Sequence, residues 1–240
     1  MEQSQSLALQ PAFILHRAPY SNSSLLLECL TPFQGRFPII AKGANSASGK
    51  KTGNSLQPFM PLLISWSGRG DVKTLRNHDA GDKPVQLHGK ALYCGFYINE
   101  LLMRLVHRND PSEILFTLYQ DTIRQLAVSR DLDSLLRRFE LTMLRELGYG
   151  LNLECDADTG EAIESSDIYH YEIEKGPVRT DSRQEHTLSG KTLLGLSGDT
   201  ELDREGKREA KRLLRRVISY YIGDKPLKSR ELFKSITSAN

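Results

Sequence analysis

The chain has 240 residues, 39% of them apolar and 26% charged. That is enough to close a sizeable core, which excludes a disordered tail or a disulfide-stapled mini-protein and implies one or two domains. Lys plus Arg exceed Asp plus Glu by only 32 to 30, a formal charge of +2, so the total favours no partner.

Distribution says more than the total. Residues 1–80 carry net +4, residues 81–203 net −9 and residues 204–240 net +7. Two basic ends around an acidic middle suggest anionic ligands at the ends and intramolecular or protein contacts between them. Cys29, Cys94 and Cys155 are odd in number and far apart, which suits a reducing compartment and provides neither a disulfide framework nor a closed zinc site. No apolar run approaches ~20 residues, and the first residues do not read as a secretory signal. A cytoplasmic chain with no membrane partner is expected.

The first 80 residues read as strands, because their apolar runs are short, rich in β-branched or aromatic residues and bounded by Gly, Pro, Ser and Asn. Candidates are 12–16, 24–30, 35–41, 59–66 and 71–76. Five short strands in so little chain predict a small closed or half-closed barrel, since an open sheet would leave edges unpaired; a small sandwich is the alternative. Arg17, Arg36, Lys42, Lys50, Lys51, Arg69, Lys73 and Arg76 fall at strand ends or in loops, with Phe37, Phe59 and Trp66 interleaved. Cationic loops and aromatic faces on a small barrel suit single-stranded nucleic acid, the backbone held by charge and the bases by stacking. Core packing is the commoner fate of Phe59 and Trp66.

From Pro84 the period becomes helical. Tyr97, Ile98, Leu101, Leu102 and Leu105 share one face, and a second helix opens at Asp110-Pro111-Ser112. A third is predicted over 133–147, ending at Gly148. Beyond Gly150 an acidic turn-like stretch precedes a hairpin over 168–179, and a Ser/Gly-punctuated segment leads to a long helix over 201–222. In that helix Ala210, Leu213, Leu214, Val217, Ile218 and Tyr221 form one side, and Lys207, Arg208, Lys211, Arg212, Arg215 and Arg216 fill an arc of roughly 180° that largely avoids it. Only Glu205 and Glu209 oppose these six cations, so phosphate binding is favoured over a plain solvated face.

Other patterns fail on spacing. Gly43 and Gly49 have five residues between them where a phosphate loop needs four, and Lys50 is followed by Lys51; a mobile basic loop is expected over 43–54. Asp156, Asp158 and Gly160 miss the calcium-loop register. Asp156, Asp158 and Glu161 could bind Mg²⁺ in a nuclease, but an acidic surface loop is the commoner identity of such a run. No His cluster, HExxH or GxSxG is present, so no catalytic centre and no cofactor are expected.

The strings KGA at 42–44, LQPFMPLL at 56–63, GRGDVKTLR at 68–76, YINELL at 97–102, LRRFELTMLRELGYG at 136–150 and KPLKSRELF at 225–233 resemble, in order, the RecO family of bacterial recombination mediators. The resemblance implies an α+β chain: an OB-fold over 1–80 and a mainly helical domain over 81–240, with a small hairpin insertion near 151–185. It also implies binding to single- and double-stranded DNA, annealing of complementary strands, and work with RecR to load RecA onto strands coated by SSB. A general RNA- or DNA-binding OB protein is the rival. DNA contacts would fall on Arg17, Lys42, Lys50, Lys51, Arg69, Lys73 and Arg76 in the first domain and on Lys207, Arg208, Lys211, Arg212 and Arg215 in the second.

The chain departs from the family at two places. The four-cysteine zinc site of some relatives is reduced to Cys155, so no zinc is expected, and the 43–54 loop is richer in Ser and Asn than strongly basic counterparts. The acidic SSB tail, ending in an apolar side chain, needs a hydrophobic pocket with a cation at its mouth. Arg137, Arg138, Leu141 and Leu144 can supply one. The adjacent arginines point about 100° apart, so one can reach the tail while the other braces against Glu140 or Glu146.

Overall fold

The computed structural model describes residues 8–46, 50–198, 201–223 and 225–229. Its contacts divide the chain into two compact units, one running to Arg130 and resuming at Leu227, the other spanning Asp131–Pro226.

The first unit opens with a closed five-stranded barrel. Strands β1 (Gln10–Pro19), β2 (Leu25–Thr31) and β3 (Gly35–Ala41) form an antiparallel meander; α1 (Lys50–Ser55) then leads to a hairpin of β4 (Leu62–Ser67) and β5 (Lys73–Ala80). The order β1-β2-β3-β5-β4, with β4 returning to β1, is that of an OB-like barrel and leaves no free edge. Its joins differ in width. Within the meander β2 and β3 are in register over their full length, whereas β5 meets β3 in parallel only at Ile39↔Lys73 and Ile40↔Thr74, and β1 meets β4 over Gln10–Ala12 alone.

Alternation along the strands sends Leu25, Leu27, Phe37, Ile39 and Ile64 inward, and Leu56, just past α1, joins the same core. The segment expected to be a mobile loop is therefore partly a short helix. Six residues are too few to register a helical period, and the apolar anchor is Leu56, just beyond the helix.

Helices α2 (Gly89–Leu105) and α3 (Glu113–Leu126) belong to this unit. Buried Asn99 ties them down: its amide donates to the Leu15 carbonyl of β1 at 2.8 Å, and its oxygen accepts from the Tyr119 hydroxyl of α3 at 2.9 Å. The β2–β3 turn is held equally closely. Gly35 has φ +67°, and a Cβ there would lie 2.1 Å from the Asp110 carbonyl oxygen, so only glycine fits. Ser112 caps α3 by accepting from Leu115 N–H, as the sequence predicts. After the second unit the chain returns, and the backbone N–H groups of Lys228 and Ser229 donate to the Glu100 carboxylate of α2.

The second unit contains α4 (Leu132–Glu146), a sheet of β6 (Ile168–Glu172), β7 (Gly176–Arg179) and β8 (Thr187–Ser189), and helices α5 (Gly190–Ser197) and α6 (Arg204–Ile222). The predicted hairpin is present, turning through Glu174 and Gly176 at positive φ. Strand β8 and helix α5 were not predicted. They are fixed by Glu209 of α6, whose buried carboxylate accepts from Ser189 N–H, Ser189 Oγ and Thr192 Oγ1 at 3.0, 3.0 and 2.6 Å.

Candidate nucleic-acid interface

In the barrel the candidate cations separate by environment. Arg36, expected at a strand end with the other cations, is buried: it pairs with buried Glu28 and donates to the Val106 carbonyl, while Arg108 completes the cluster on Glu28 at 2.9 Å. Nothing in a linear reading separates it from its neighbours, because both partners come from elsewhere in the chain. Arg17 donates to the Gly53 and Leu56 carbonyls at 3.0 and 3.2 Å, fastening the end of α1 to the barrel. Arg76 is exposed and donates to Ser67 Oγ at 2.6 Å, and Arg69 is exposed in the β4–β5 turn. Lys42 is exposed and Lys73 half-buried, and neither forms an ion pair with a described residue.

Strand register places few of these together. The β3–β5 pairing sets Lys73 beside Ile39 and ends at Ile40↔Thr74, short of Lys42, and Arg76 falls where the β4–β5 register shifts. Lys50 and Lys51 open α1, and their side chains lie outside the described residues. The interleaved aromatics are inward. Phe37 is fully buried, Trp66 packs on it with ring centroids 4.9 Å apart, and Phe59 is buried against Phe96. Phe59 and Trp66 thus take the core role expected of them, Phe37 joins them there, and the barrel offers its described cations without an aromatic stacking face from these three.

On α6 the six cations also divide. Lys207 donates to Asp131 at 2.6 Å and Lys211 to Asp133 at 2.9 Å, joining α6 to the first turn of α4. Asp131 is also the N-cap of α4, accepting from Ser134 N–H, and the hydrogen bond from Lys207 together with that cap holds its carboxyl at about 2. Arg216 donates to the Tyr171 carbonyl. Arg208, Arg212 and Arg215 are exposed and form no ion pair with a described residue.

Helix α4 separates its two arginines. Arg137 is buried against Glu140, at 2.5 Å, yet its Nε and Nη1 meet no acceptor among the described residues. Arg138 is exposed. Both line a groove of about 700 Å³ with Leu141, Leu196 and Leu202. Leu144 is fully buried and is not among the groove's lining residues. The wall supplied by α5 went unpredicted, because that segment is glycine-punctuated and too short to show a period.

Family models for the N-terminal and C-terminal parts of recombination protein O match residues 6–80 and 86–231. The chain belongs to the RecO family. Proteins named DNA repair protein RecO are similar to it over nearly their whole length. That of Methylococcus capsulatus is 46% identical, covering 95% of this chain and 93% of its own. That of Coxiella burnetii is 45% identical over 94% and 97%, and that of Nitrosospira multiformis 42% over 94% of each.

The RecO resemblance read from the sequence is therefore correct. Its longest string, residues 136–150, lies along α4 and its C-terminal turn, where Gly148 adopts φ +82°.

The acidic stretch of this RecO-family chain has a structural occupation. Asp156 accepts the backbone N–H groups of Asp158, Thr159 and Arg179; burial works against its charge, but these donors outweigh it and hold its carboxyl below the ordinary range. Asp158 pairs with Lys175 at 2.7 Å. Among the described residues no group of three or more His, Cys, Asp or Glu is placed to hold a metal ion, and no helix is long and apolar enough to cross a membrane.

Proposed function

We propose that the chain is a cytoplasmic, non-enzymatic mediator of DNA repair and recombination: it binds single- and double-stranded DNA, anneals complementary strands without ATP and, with RecR, helps load RecA onto SSB-coated single strands. The observation that carries this reading is the RecO-family match through both the barrel and the helical part, together with near-full-length similarity to proteins named for DNA repair.

Phosphate contact falls to cations that form no ion pair with a described residue, Lys42 and Lys73 on the barrel and Arg208, Arg212 and Arg215 on α6, with the exposed Arg69 and Arg76 of the barrel beside them. Lys207 and Lys211 must first release Asp131 and Asp133. Annealing then needs charge neutralisation rather than chemistry, since two strands repel until cations lie between their phosphates.

The SSB tail is assigned to the α4 groove. Arg138 meets the tail's carboxylates at the surface, Leu141 takes its apolar end, and the unmatched N–H groups of Arg137 await a carboxylate.

The test is DNA affinity against salt, followed by annealing. Log affinity for a single strand should fall by about 0.7 per phosphate contact for each unit of log salt, because each contact releases condensed counterions. Annealing should proceed equally with and without ATP. A salt slope near zero, or annealing that stops when ATP is withheld, would overturn the proposal.

A further inference from the structure

The C-terminal half of α6 carries a feature that phosphate binding does not use. Tyr220 is 54% exposed, and its hydroxyl has no hydrogen bond with a described residue. It is held in place from behind. Tyr221 stacks on Tyr149 with centroids 4.1 Å apart and planes 21° apart, and Tyr220 meets Tyr221 edge-on at 5.2 Å and 84°. The pair Tyr149–Tyr221 braces a third ring that stays open to solvent.

The ring sits at the end of a cationic track. Arg208, Arg212, Arg216 and Tyr220 follow one another at intervals of four residues, so they form a stripe that climbs about 6 Å and turns about 40° around the helix at each step. Arg212, Arg215 and Arg216 line a groove of about 380 Å³ that reaches Ser219, with His186 and Leu188 on its other wall. The last turn of α6 has no basic residue. A helix C-terminus carries partial negative charge and disfavours phosphate, so at that end of the track the favourable contact is with a neutral, polarizable group. An open aromatic face supplies one.

From this geometry we infer that Tyr220 is a base-stacking residue: a single strand whose phosphates follow Arg208, Arg212 and the Arg215–Arg216 groove lays an unstacked base on the Tyr220 ring. Bases of an intact duplex are already stacked on each other and do not present a face to it, so the ring favours single strands over duplex. The inference rests on the DNA-binding reading above and adds which end of α6 touches base rather than backbone.

The experiment measures the full chain's affinity for an oligo-dT strand and for a duplex of equal length, at one salt concentration and across a salt series. Stacking on one aromatic is worth about 1–3 kcal/mol per base, so Tyr220→Ala should bind the single strand about 5- to 150-fold more weakly. Duplex affinity and the salt slope should stay as in the parent, and Tyr220→Phe, which keeps the ring, should bind like the parent. Tyr220→Trp should also bind, and its added emission should be quenched by the strand but not by the duplex. Unchanged single-strand affinity in Tyr220→Ala overturns the inference while leaving DNA binding intact. So does an equal loss on strand and duplex, which would mark the ring as structural. If the parent binds neither DNA, the broader reading fails and this inference with it.

Discussion

Arg137 and Arg138 are sequence neighbours with different surroundings, and the difference decides how the groove beside them can be tested. Arg137 is locked to Glu140 within the helix, so Arg137→Ala would strand a buried carboxylate and cost about 3–5 kcal/mol of stability. Arg138 is exposed at the groove and can be removed without that penalty. Arg138→Ala should weaken binding of the SSB C-terminal tail peptide by about 1.5–3 kcal/mol, the worth of a charge-assisted hydrogen bond, and leave affinity for naked DNA nearly unchanged. Calorimetry that returns the parent affinity for Arg138→Ala removes this cation from the docking site. Sequence alone shows that the two side chains diverge, because successive helical residues point about 100° apart. It does not show which one turns inward; that is set by how α4 packs in its unit. Arg36 presents the same problem more sharply. It reads as one more surface cation until folding brings Glu28 and Arg108 around it.

Among elements, the pairing of α6 with α4 makes a measurable demand on pH. Asp131 titrates at about 2 when folded, against 3.8 for a free carboxyl, chiefly through the hydrogen bond from Lys207 and then the Ser134 cap. A depressed folded value means the contribution is fully present above the unfolded pKa and disappears as pH falls from about 4 toward 2. Asn is as good an N-cap as Asp, so Asp131→Asn keeps the cap and deletes only the charge facing Lys207. For an exposed pair this is worth about 0.2–1 kcal/mol. Denaturant midpoints should show the variant slightly less stable at pH 6, with the gap closing by pH 2 and narrowing in high salt. A gap that stays constant through that range would mean the ion pair contributes nothing. Element identities were largely readable: all five barrel strands, α2, α3, α4, the β6–β7 hairpin and α6 follow from periodicity and caps. The elements that were not, α1, β8 and α5, have six, three and eight residues. Each is too short to show a period, and β8 and α5 are held by Glu209, about twenty residues further along the chain.

Across the whole chain, the charge asymmetry of the sequence survives folding in altered form. Part of the basic end is neutralised by the acidic middle through Lys207 and Lys211, partners 76 and 78 residues away from them. The cations left over are fewer than the sequence suggests, and pairing at that separation leaves no mark on local composition. The barrel was legible as a barrel, but not the uneven width of its joins. The β1–β2–β3 meander and the β4–β5 hairpin are each long-paired within themselves and meet each other over only two or three residues at either junction. The chain's only tryptophan, Trp66, lies on the hairpin and packs on Phe37 of the meander, across that division. The protein thus contains its own optical reporter for the parting of the two halves. In a denaturant series, Trp66 emission should begin to change at lower concentration than the far-ultraviolet helical signal, because narrowly joined segments open before a domain unfolds as a whole. Coincident curves would show instead that the barrel and helices melt as one, with the hairpin fastened by its side chains rather than by its backbone.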